Sequence, residues 1–408
     1  MAVSAPLERN IALYAKTDAS LKSPWSLSHW LSDQHVSPVT GLAFARDGRL
    51  ASSSHDRSAF VWASAGREPG NASQGSAEAS QASNATTQRQ TENSSPTTLS
   101  VGDCLARSKS SFEPQLVITQ LRQACLCMSW SPDGVRVALG SSDGAGAVCT
   151  HDAARQLWAP QALPAARLAP DVPAGQRSAV LDLCWHPDST LLAAALSTGR
   201  LCVVVGRRGG VERSSDASFG PDENASANVE GLRSRKKGGD AGDEAEPPAA
   251  LCRAFGDVLW SWQLPARPTS VAWSADGRWL AAACQAPVIC FYAVGAEPEE
   301  RQELAASSLP LRRLCFLKSG ALVGGGFDGL PHAFGLDAAG KWREISLRAS
   351  GAPRREAAAS ASPTGHDGAI VSIQEVPVAG EREAADALGA FTTAGDDGRV
   401  LTWILQRS

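Results

Sequence analysis

The sequence predicts an all-β fold, a seven-bladed β-propeller, from three recurring features. An apolar run ends at an aromatic residue before a tight turn, a run of small residues follows, and after a second turn comes a third apolar run. Alternating or continuous apolar runs of this length are typical of strands, and the Asp and Gly residues between them are typical of hairpin turns. The aromatic anchors, with a weaker copy around Ile373, are Phe44, Trp130, Trp185, Trp273 and Phe316.

Insertions explain why these copies are unevenly spaced. Residues 66–111 and 207–250 are polar, low-complexity stretches, and a shorter insertion lies in the last blade at 347–365. With the insertions set aside, the spacing becomes roughly 40–45 residues, the length of a WD repeat, which builds one propeller blade. The two long stretches carry too few large apolar residues to offset the entropy of ordering. We therefore expect one propeller over residues 1–408, with disordered inserts at 66–111 and 207–250.

The blade count indicates an incomplete first blade. Seven third strands are predicted, but only six first-strand anchors, because the chain starts almost at the third strand NIALYAK. We expect the two inner strands of the first blade to be missing. An incomplete gene model is the favoured explanation, and cover of the gap by a partner or a rearranged terminus is the alternative. The seven third-strand residues are Tyr14, Trp62, Cys149, Val204, Tyr292, Phe334 and Trp403.

Charge and hydropathy narrow the class of partner. The net charge is −4, which favours neither a nucleic-acid surface nor a polybasic membrane patch. The start MAVSAPLERN lacks the pattern of a signal peptide, and no apolar run approaches the roughly 20 residues needed to cross a bilayer. We therefore expect a cytoplasmic protein that contacts neither nucleic acid nor membrane.

Candidate chemistry is sparse. Most of the ten cysteines lie in apolar strand-like runs, as buried free thiols of a reducing compartment would, and Cys125-x-Cys127 has no second pair at a zinc spacing. The seven histidines, which include His366 in a Gly-His pair before a first strand, show no nucleophile–base pair in the sequence. The sequence predicts no enzyme, no cofactor and no metal site.

The order of particular segments is more specific than the repeat. FEPQLVITQLRQACLCMSWSPD, SAVLDLCWHPDSTLLAAALS and SSLPLRRLCFLKSGALVGGGFDGLPHAFGLDAAGKW resemble, in this order, the propeller subunit of the actin-related protein 2/3 complex, subunit 1. So does VTGLAFARDGRLASSSHDRSAFVW with NIALYAK before it. The most specific features are the P-x-LVI strand before the third blade and the SLPL entry to the sixth.

The resemblance implies a non-catalytic scaffold subunit, in the cytoplasm and actin cytoskeleton, of a complex that nucleates branched actin filaments. Its implied partners are the other subunits, the actin filament and nucleation-promoting factors. In that family the last blade carries an insertion with a short apolar helix, whereas 347–365 is shorter and has no such helix face. This departure bears against filament or activator binding there, except that three arginines of the insertion could contact an acidic partner: Arg348, Arg354 and Arg355.

A second hypothesis is a WD-repeat adaptor of another complex, in ubiquitin ligation or trafficking. Such adaptors bind short peptides on one face of the ring, and their mark would be Arg or Lys side chains around the central channel. Arg57, in HDRSAFVW, is the residue that suggests this use.

Overall fold

The computed structural model describes residues 2–3, 9–15, 26–64, 112–173, 178–207, 254–294, 301–306, 309–345, 365–376 and 387–406. Almost all of its secondary structure is β-strand, in seven antiparallel units that follow one another along the chain. We number these units blade 1 to blade 7. One helical turn, α1 (Ala165–Leu168), lies between blades 3 and 4. No helix in the described ranges is long and apolar enough to cross a membrane.

Blades 2 to 6 each contain four strands in chain order, which confirms the predicted repeat. Blade 2 comprises β4 (Val39–Phe44), β5 (Leu50–Ser54), β6 (Ala59–Ser64) and β7 (Phe112–Val117), and blade 3 comprises β8 (Cys125–Trp130), β9 (Arg136–Ser141), β10 (Gly146–Asp152) and β11 (Leu157–Leu163). Blade 4 comprises β12 (Val180–Trp185), β13 (Leu191–Leu196), β14 (Arg200–Val205) and β15 (Val258–Gln263). Blade 5 comprises β16 (Pro268–Trp273), β17 (Trp279–Cys284), β18 (Val288–Ala293) and β19 (Arg301–Ala305), and blade 6 comprises β20 (Leu311–Phe316), β21 (Leu322–Gly326), β22 (Pro331–Leu336) and β23 (Trp342–Ile345). Sequence patterns did not predict that the outer strands of blades 2 and 3 join through one parallel pair, Trp158 with Val117.

The two end blades each have three strands among the described residues. Blade 1 comprises β1 (Ala2–Val3), β2 (Ile11–Ala15) and β3 (Ser26–Leu31), and blade 7 comprises β24 (Ile370–Val376), β25 (Ala387–Gly395) and β26 (Val400–Gln406). Val3 pairs with Ala12, so β1 fills one of the two inner-strand positions that were predicted to be missing. All seven predicted third-strand residues lie in the third strand of their blade position.

Strand register separates two faces. In blade 2 the start of β4 pairs with the end of β5, and a turn connects that end of β5 to the start of β6. The end of β7 pairs with the start of β6. We call this end of the blades, where first strands begin, the upper face, and the opposite end the lower face. Upper-face turns join second to third strands, whereas the lower face carries the first-to-second and third-to-fourth connections. The described borders of the two long insertions therefore lie on the lower face: Ser64 and Phe112 for the first, and Arg207 and Ala254 for the second.

Six apolar clusters in the described residues each join two consecutive blades. The small second-strand residues are part of this packing: a Cβ at Gly140 would lie 2.6 Å from the side chain of Val180, in the first strand of the next blade. A Cβ at Gly325 would lie 2.8 Å from Ile370 of the next blade. At these two positions, crowding by the first strand of the next blade requires glycine.

First strands converge around a central axis. Trp185 Nε1 donates to the carbonyl of Ser129 in the preceding blade at 3.2 Å. An Asp182 oxygen accepts from the backbone N–H of Val271 in blade 5 at 2.9 Å, and the other lies 3.8 Å from Nη1 of Arg313 in blade 6. One carboxylate thus links three blades, which is the geometry of a propeller.

The predicted insertions lie outside the described residues, except for Arg207 and Gly365 at their borders. The disorder predicted for 66–111 and 207–250 stays a prediction.

Candidate interaction surface

Arg57 lies on the upper face, in the turn between β5 and β6. Its side chain is exposed, and among the described residues no ion pair involves it. Its φ of 71° is in the left-handed region, where the corresponding turns of blades 3 and 4 place Gly144 and Gly199. A residue with a Cβ pays roughly 1 kcal/mol for this conformation. The role of Arg57 in partner binding remains a prediction, on a residue that the fold leaves accessible.

The other three arginines predicted at a partner site, Arg348, Arg354 and Arg355, lie outside the described residues. The described borders of their segment, Ile345 and Gly365, are both on the upper face: Ile345 pairs with Ala333 near the start of β22, and the amide of His366 donates to Gly329 in the β21–β22 turn. The insertion is therefore attached to the same face as Arg57.

A buried polar network in blade 2 places a hydroxyl, an imidazole and a carboxylate in sequence. Trp62 Nε1 donates to Ser52 Oγ at 2.9 Å, and Ser52 Oγ lies 2.8 Å from His35 Nε2. His35 Nδ1 lies 2.8 Å from Ser58 Oγ, which donates to Asp56. The network joins the connection before β4 to the turn that follows β5.

Blade 7 repeats this network with a threonine. Trp403 Nε1 donates to Thr393 Oγ1 at 2.7 Å, Thr393 Oγ1 lies 2.8 Å from His366 Nε2, and His366 Nδ1 lies 3.0 Å from Asp397 Oδ1. Asp397 also accepts from the backbone N–H of Asp367 at 3.0 Å. The sequence carries a signal for both networks, since Asp and Trp follow the hydroxyl residue at the same offsets in the two blades.

The order hydroxyl–imidazole–carboxylate is also that of nucleophilic catalytic triads. Here Ser52 and Thr393 are fully buried, as are the side chains of both histidines, so no substrate can reach the hydroxyls. Burial lowers the pKa of His35 despite the opposing attraction of Asp56. Burial raises the pKa of Asp56, but hydrogen bonds from Ser58 and from the backbone N–H of Val36 outweigh it and the net pKa is lowered. The networks are suited to holding the upper-face loops in place.

A cavity opens on the upper face between the inner strands of blades 4, 5 and 6, with a volume of about 700 Å³. Three of its lining residues are arginines that come from two blades: Arg267 precedes β16, and Arg312 and Arg313 lie at the start of β20. Phe327, 56% exposed, stands in the β21–β22 turn at its edge. The remaining lining residues are Leu181, Pro268, Thr269, Gln285 and Pro310.

The three guanidinium groups differ in how far they are already paired. Arg267 is exposed and takes part in no ion pair within the described ranges. Arg312 lies 3.8 Å from Asp396 and 5.4 Å over the ring of Phe327, which orients its plane without using its hydrogen-bond donors. Arg313 is the most occupied, since its Nε donates to the carbonyl of Val371 and its Nη1 faces Asp182. The cavity therefore carries positive charge that the neighbouring Asp182 and Asp396 only partly offset.

Sequence reasoning missed this cavity. Its arginines lie in RPTS and PLRRL, immediately before or within first strands. Arginine at the start of a first strand is the sequence signal that could have indicated the cavity. In the described residues, no group of three or more His, Cys, Asp or Glu side chains could hold a metal ion.

Comparisons with known proteins agree with the fold. The family "WD domain, G-beta repeat" matches residues 27–63 and 172–204. Actin-related protein 2/3 complex subunit 1A of Arabidopsis thaliana is 24% identical over 96% of this chain and 89% of its own length, and subunit 1 of Schizosaccharomyces pombe is 25% identical over 73% of this chain and 78% of its own.

A solved structure supports the propeller architecture alone. Chaetomium thermophilum Sqt1, bound there to the N-terminus of the ribosomal protein L10, is 14% identical and matches with a TM-score of 0.52 over 97% of this chain and 78% of that one. Fold, repeat family and similarity along the sequence now agree. The chain is a WD-repeat β-propeller that is similar over nearly its whole length to subunit 1 of the actin-related protein 2/3 complex.

Proposed function

We propose that this chain is a non-catalytic propeller scaffold subunit of the actin-related protein 2/3 complex and supports the nucleation of branched actin filaments. The observation that carries the proposal is the similarity to subunit 1 across nearly the whole of both chains, which runs through every blade. Its partners would be the other subunits of the complex, the actin filament and nucleation-promoting factors. Its place would be the cytoplasm and the actin cytoskeleton.

Surface chemistry of blades 1 and 2 supports a scaffold role. Large apolar side chains are exposed on the outer strands and upper connections of these two blades: Trp30, Val36, Leu116 and Ile118. Exposed apolar groups concentrated on neighbouring elements mark protein–protein contacts more often than isolated ones do. We expect a neighbouring subunit to pack against these four side chains.

Affinity purification of the tagged full-length chain from native extract tests the proposal. Recovery of two actin-related proteins in amounts equal to the chain would support it, and the purified complex should accelerate polymerisation of pyrene-labelled actin. Leu116→Asp should reduce this recovery, whereas Val135→Asp, a matched change of an exposed residue on the lower face, should leave it unchanged. Elution of the chain as a monomer without actin-related proteins would contradict the proposal.

The second candidate function is a WD-repeat adaptor of another complex, in ubiquitin ligation or trafficking. The arginines on the upper face favour it, since Arg57 is accompanied there by Arg267 and Arg312. The same purification separates the two, because ubiquitin-ligase or vesicle-coat subunits would be recovered in place of actin-related proteins.

A further inference from the structure

The cavity between blades 4, 5 and 6 has a lining that neither the repeat nor the scaffold role requires. We propose that it binds a nucleotide, with the phosphate groups on Arg267 and Arg312 and the base against the ring of Phe327. Nucleotide binding here is separate from the scaffold role, so the inference does not rest on membership in the actin-related protein 2/3 complex.

Hydrogen bonds hold the backbone of both arginines at the opening of the cavity. The backbone N–H of Gln285 donates to the carbonyl of Arg267 at 2.8 Å, which fixes the entry to β16. Thr269 Oγ1 donates to the carbonyl of Leu311 at 2.6 Å, which joins β16 of blade 5 to β20 of blade 6, where Arg312 is the next residue. Because these positions are set before a ligand arrives, less conformational freedom is lost on binding.

The charge of the lining favours a phosphate group. Arg267 has no carboxylate partner within the described ranges, and the 3.8 Å separation between Arg312 and Asp396 is too long for a hydrogen bond. A phosphate group carries three strong acceptor oxygens, whereas a carboxylate carries two in one plane. One phosphate group can therefore accept from guanidinium groups of two blades at once, each of which donates through a pair of N–H groups.

The rest of the lining provides contact for a planar organic group. Phe327 is 56% exposed and has the guanidinium of Arg312 at 5.4 Å from its ring centroid, so an exposed aromatic surface lies beside the positive charge. Aromatic side chains stack with bases of every type, because each base has a π-face. Leu181, Pro268 and Pro310 add apolar surface, which an inorganic anion would leave unused. The volume of about 700 Å³ lies within the roughly 300–1,000 Å³ that small-molecule sites occupy.

Isothermal titration calorimetry of the full-length chain with adenosine diphosphate tests this inference. The buffer contains EDTA, because the guanidinium groups rather than a metal ion are expected to meet the phosphate charge. Adenosine lacks the phosphates and pyrophosphate lacks the base, so each should bind at least about tenfold more weakly than adenosine diphosphate, whose affinity should fall as salt rises. Equal binding of adenosine or of pyrophosphate would refute a nucleotide site. Absence of saturable binding of adenosine diphosphate at about 1 mM would also refute it.

Single substitutions locate the site. Arg267→Gln and Arg312→Gln should each weaken binding of adenosine diphosphate about fivefold or more, while Arg278→Gln, which changes an exposed arginine on the lower face, should alter it less than about twofold. Phe327→Ser should weaken binding of adenosine diphosphate more than that of pyrophosphate. Circular dichroism of each variant shows that the fold is kept. An equal loss in Arg278→Gln would show a general charge effect, and unchanged binding in both Arg267→Gln and Arg312→Gln would place the nucleotide elsewhere; either result overturns the inference.

Discussion

Removal of one hydroxyl from the network of blade 7 should have a large effect on stability. In Thr393→Val the side chain keeps its shape but loses Oγ1, which accepts from Trp403 Nε1 at 2.7 Å and contacts His366 Nε2 at 2.8 Å. Both partners are buried, so bulk solvent does not readily replace the lost contact. Each buried polar group left without a partner costs roughly 1–3 kcal/mol, so we expect a loss of about 3 kcal/mol. The free energy of unfolding of a domain is roughly 5–15 kcal/mol, so a loss of this size is readily measured.

The same position supplies a matched control. Thr393→Ser keeps the buried hydroxyl and removes only a methyl group. Thr393→Ser should therefore cost about 1 kcal/mol. Urea titrations followed by far-ultraviolet circular dichroism give both free energies of unfolding, without using the fluorescence of a tryptophan that the mutations affect.

A double-mutant cycle then tests the cause. Thr393→Val leaves the indole N–H of Trp403 without an acceptor, and Trp403→Phe removes that N–H. The loss of unfolding free energy in the double variant should therefore be smaller than the sum of the two single losses, by about 1 kcal/mol or more. Two results would refute the explanation by buried unpaired groups: additive losses in the cycle, or a Thr393→Val loss no greater than that of Thr393→Ser.

Three further predictions use the same fold. Burial lowers the pKa of His35, so the free energy of unfolding should decrease as the pH falls below the ordinary value of 6.5, because the unfolded chain takes up the proton first. The decrease in the free energy of unfolding between about pH 7.5 and about pH 5.5 should be smaller in His35→Gln than in the parent chain. In the control His55→Gln, at an exposed site, this decrease should be unchanged. Gly325→Ala should cost about 1–3 kcal/mol in urea titrations because its Cβ would lie 2.8 Å from Ile370, whereas Gly335→Ala, with open space to 3.6 Å, should be nearly neutral. Iodoacetamide at about pH 8 should label Cys125, Cys149, Cys184 and Cys315 only after unfolding, because burial raises the pKa of their thiols; rapid labelling of any of these four in the native chain would contradict this.

The sequence was sufficient to predict the blades because each signal is local. An aromatic anchor such as Trp185, the small run after it and the turn between them lie within one hairpin, where side-chain period and turn chemistry decide the structure. Insertions change the spacing between repeats but not this local pattern, so the order of strands survived them.

The cavity could not be predicted in the same way. Arg267 and Arg312 belong to different blades, and only the packing of one inner strand against the next brings them to one opening. The orientation of Arg312 depends on Phe327, which is separated from it by two strands and their turns. Sequence reasoning proposed Arg57, whose role stays a prediction, because its turn has a recognisable motif; no such motif surrounds the cavity arginines.

The blades without a polar network show how the propeller replaces one. In blade 3, the positions that correspond to the histidine, hydroxyl and tryptophan of blades 2 and 7 hold Leu121, Leu139 and Cys149, which pack in one apolar cluster.

In blade 5 the three positions also lie in one cluster, as Leu264, Ala282 and Tyr292. In blade 3 the polar members are thus replaced together, whereas in blade 5 the histidine and hydroxyl positions are apolar and the third position holds a tyrosine. Loss of one member leaves its partners buried without hydrogen bonds, whereas replacement of the whole set by apolar residues can be nearly neutral. This is why one hydroxyl should matter so much in blade 7, although blades 3 and 5 do without the network altogether.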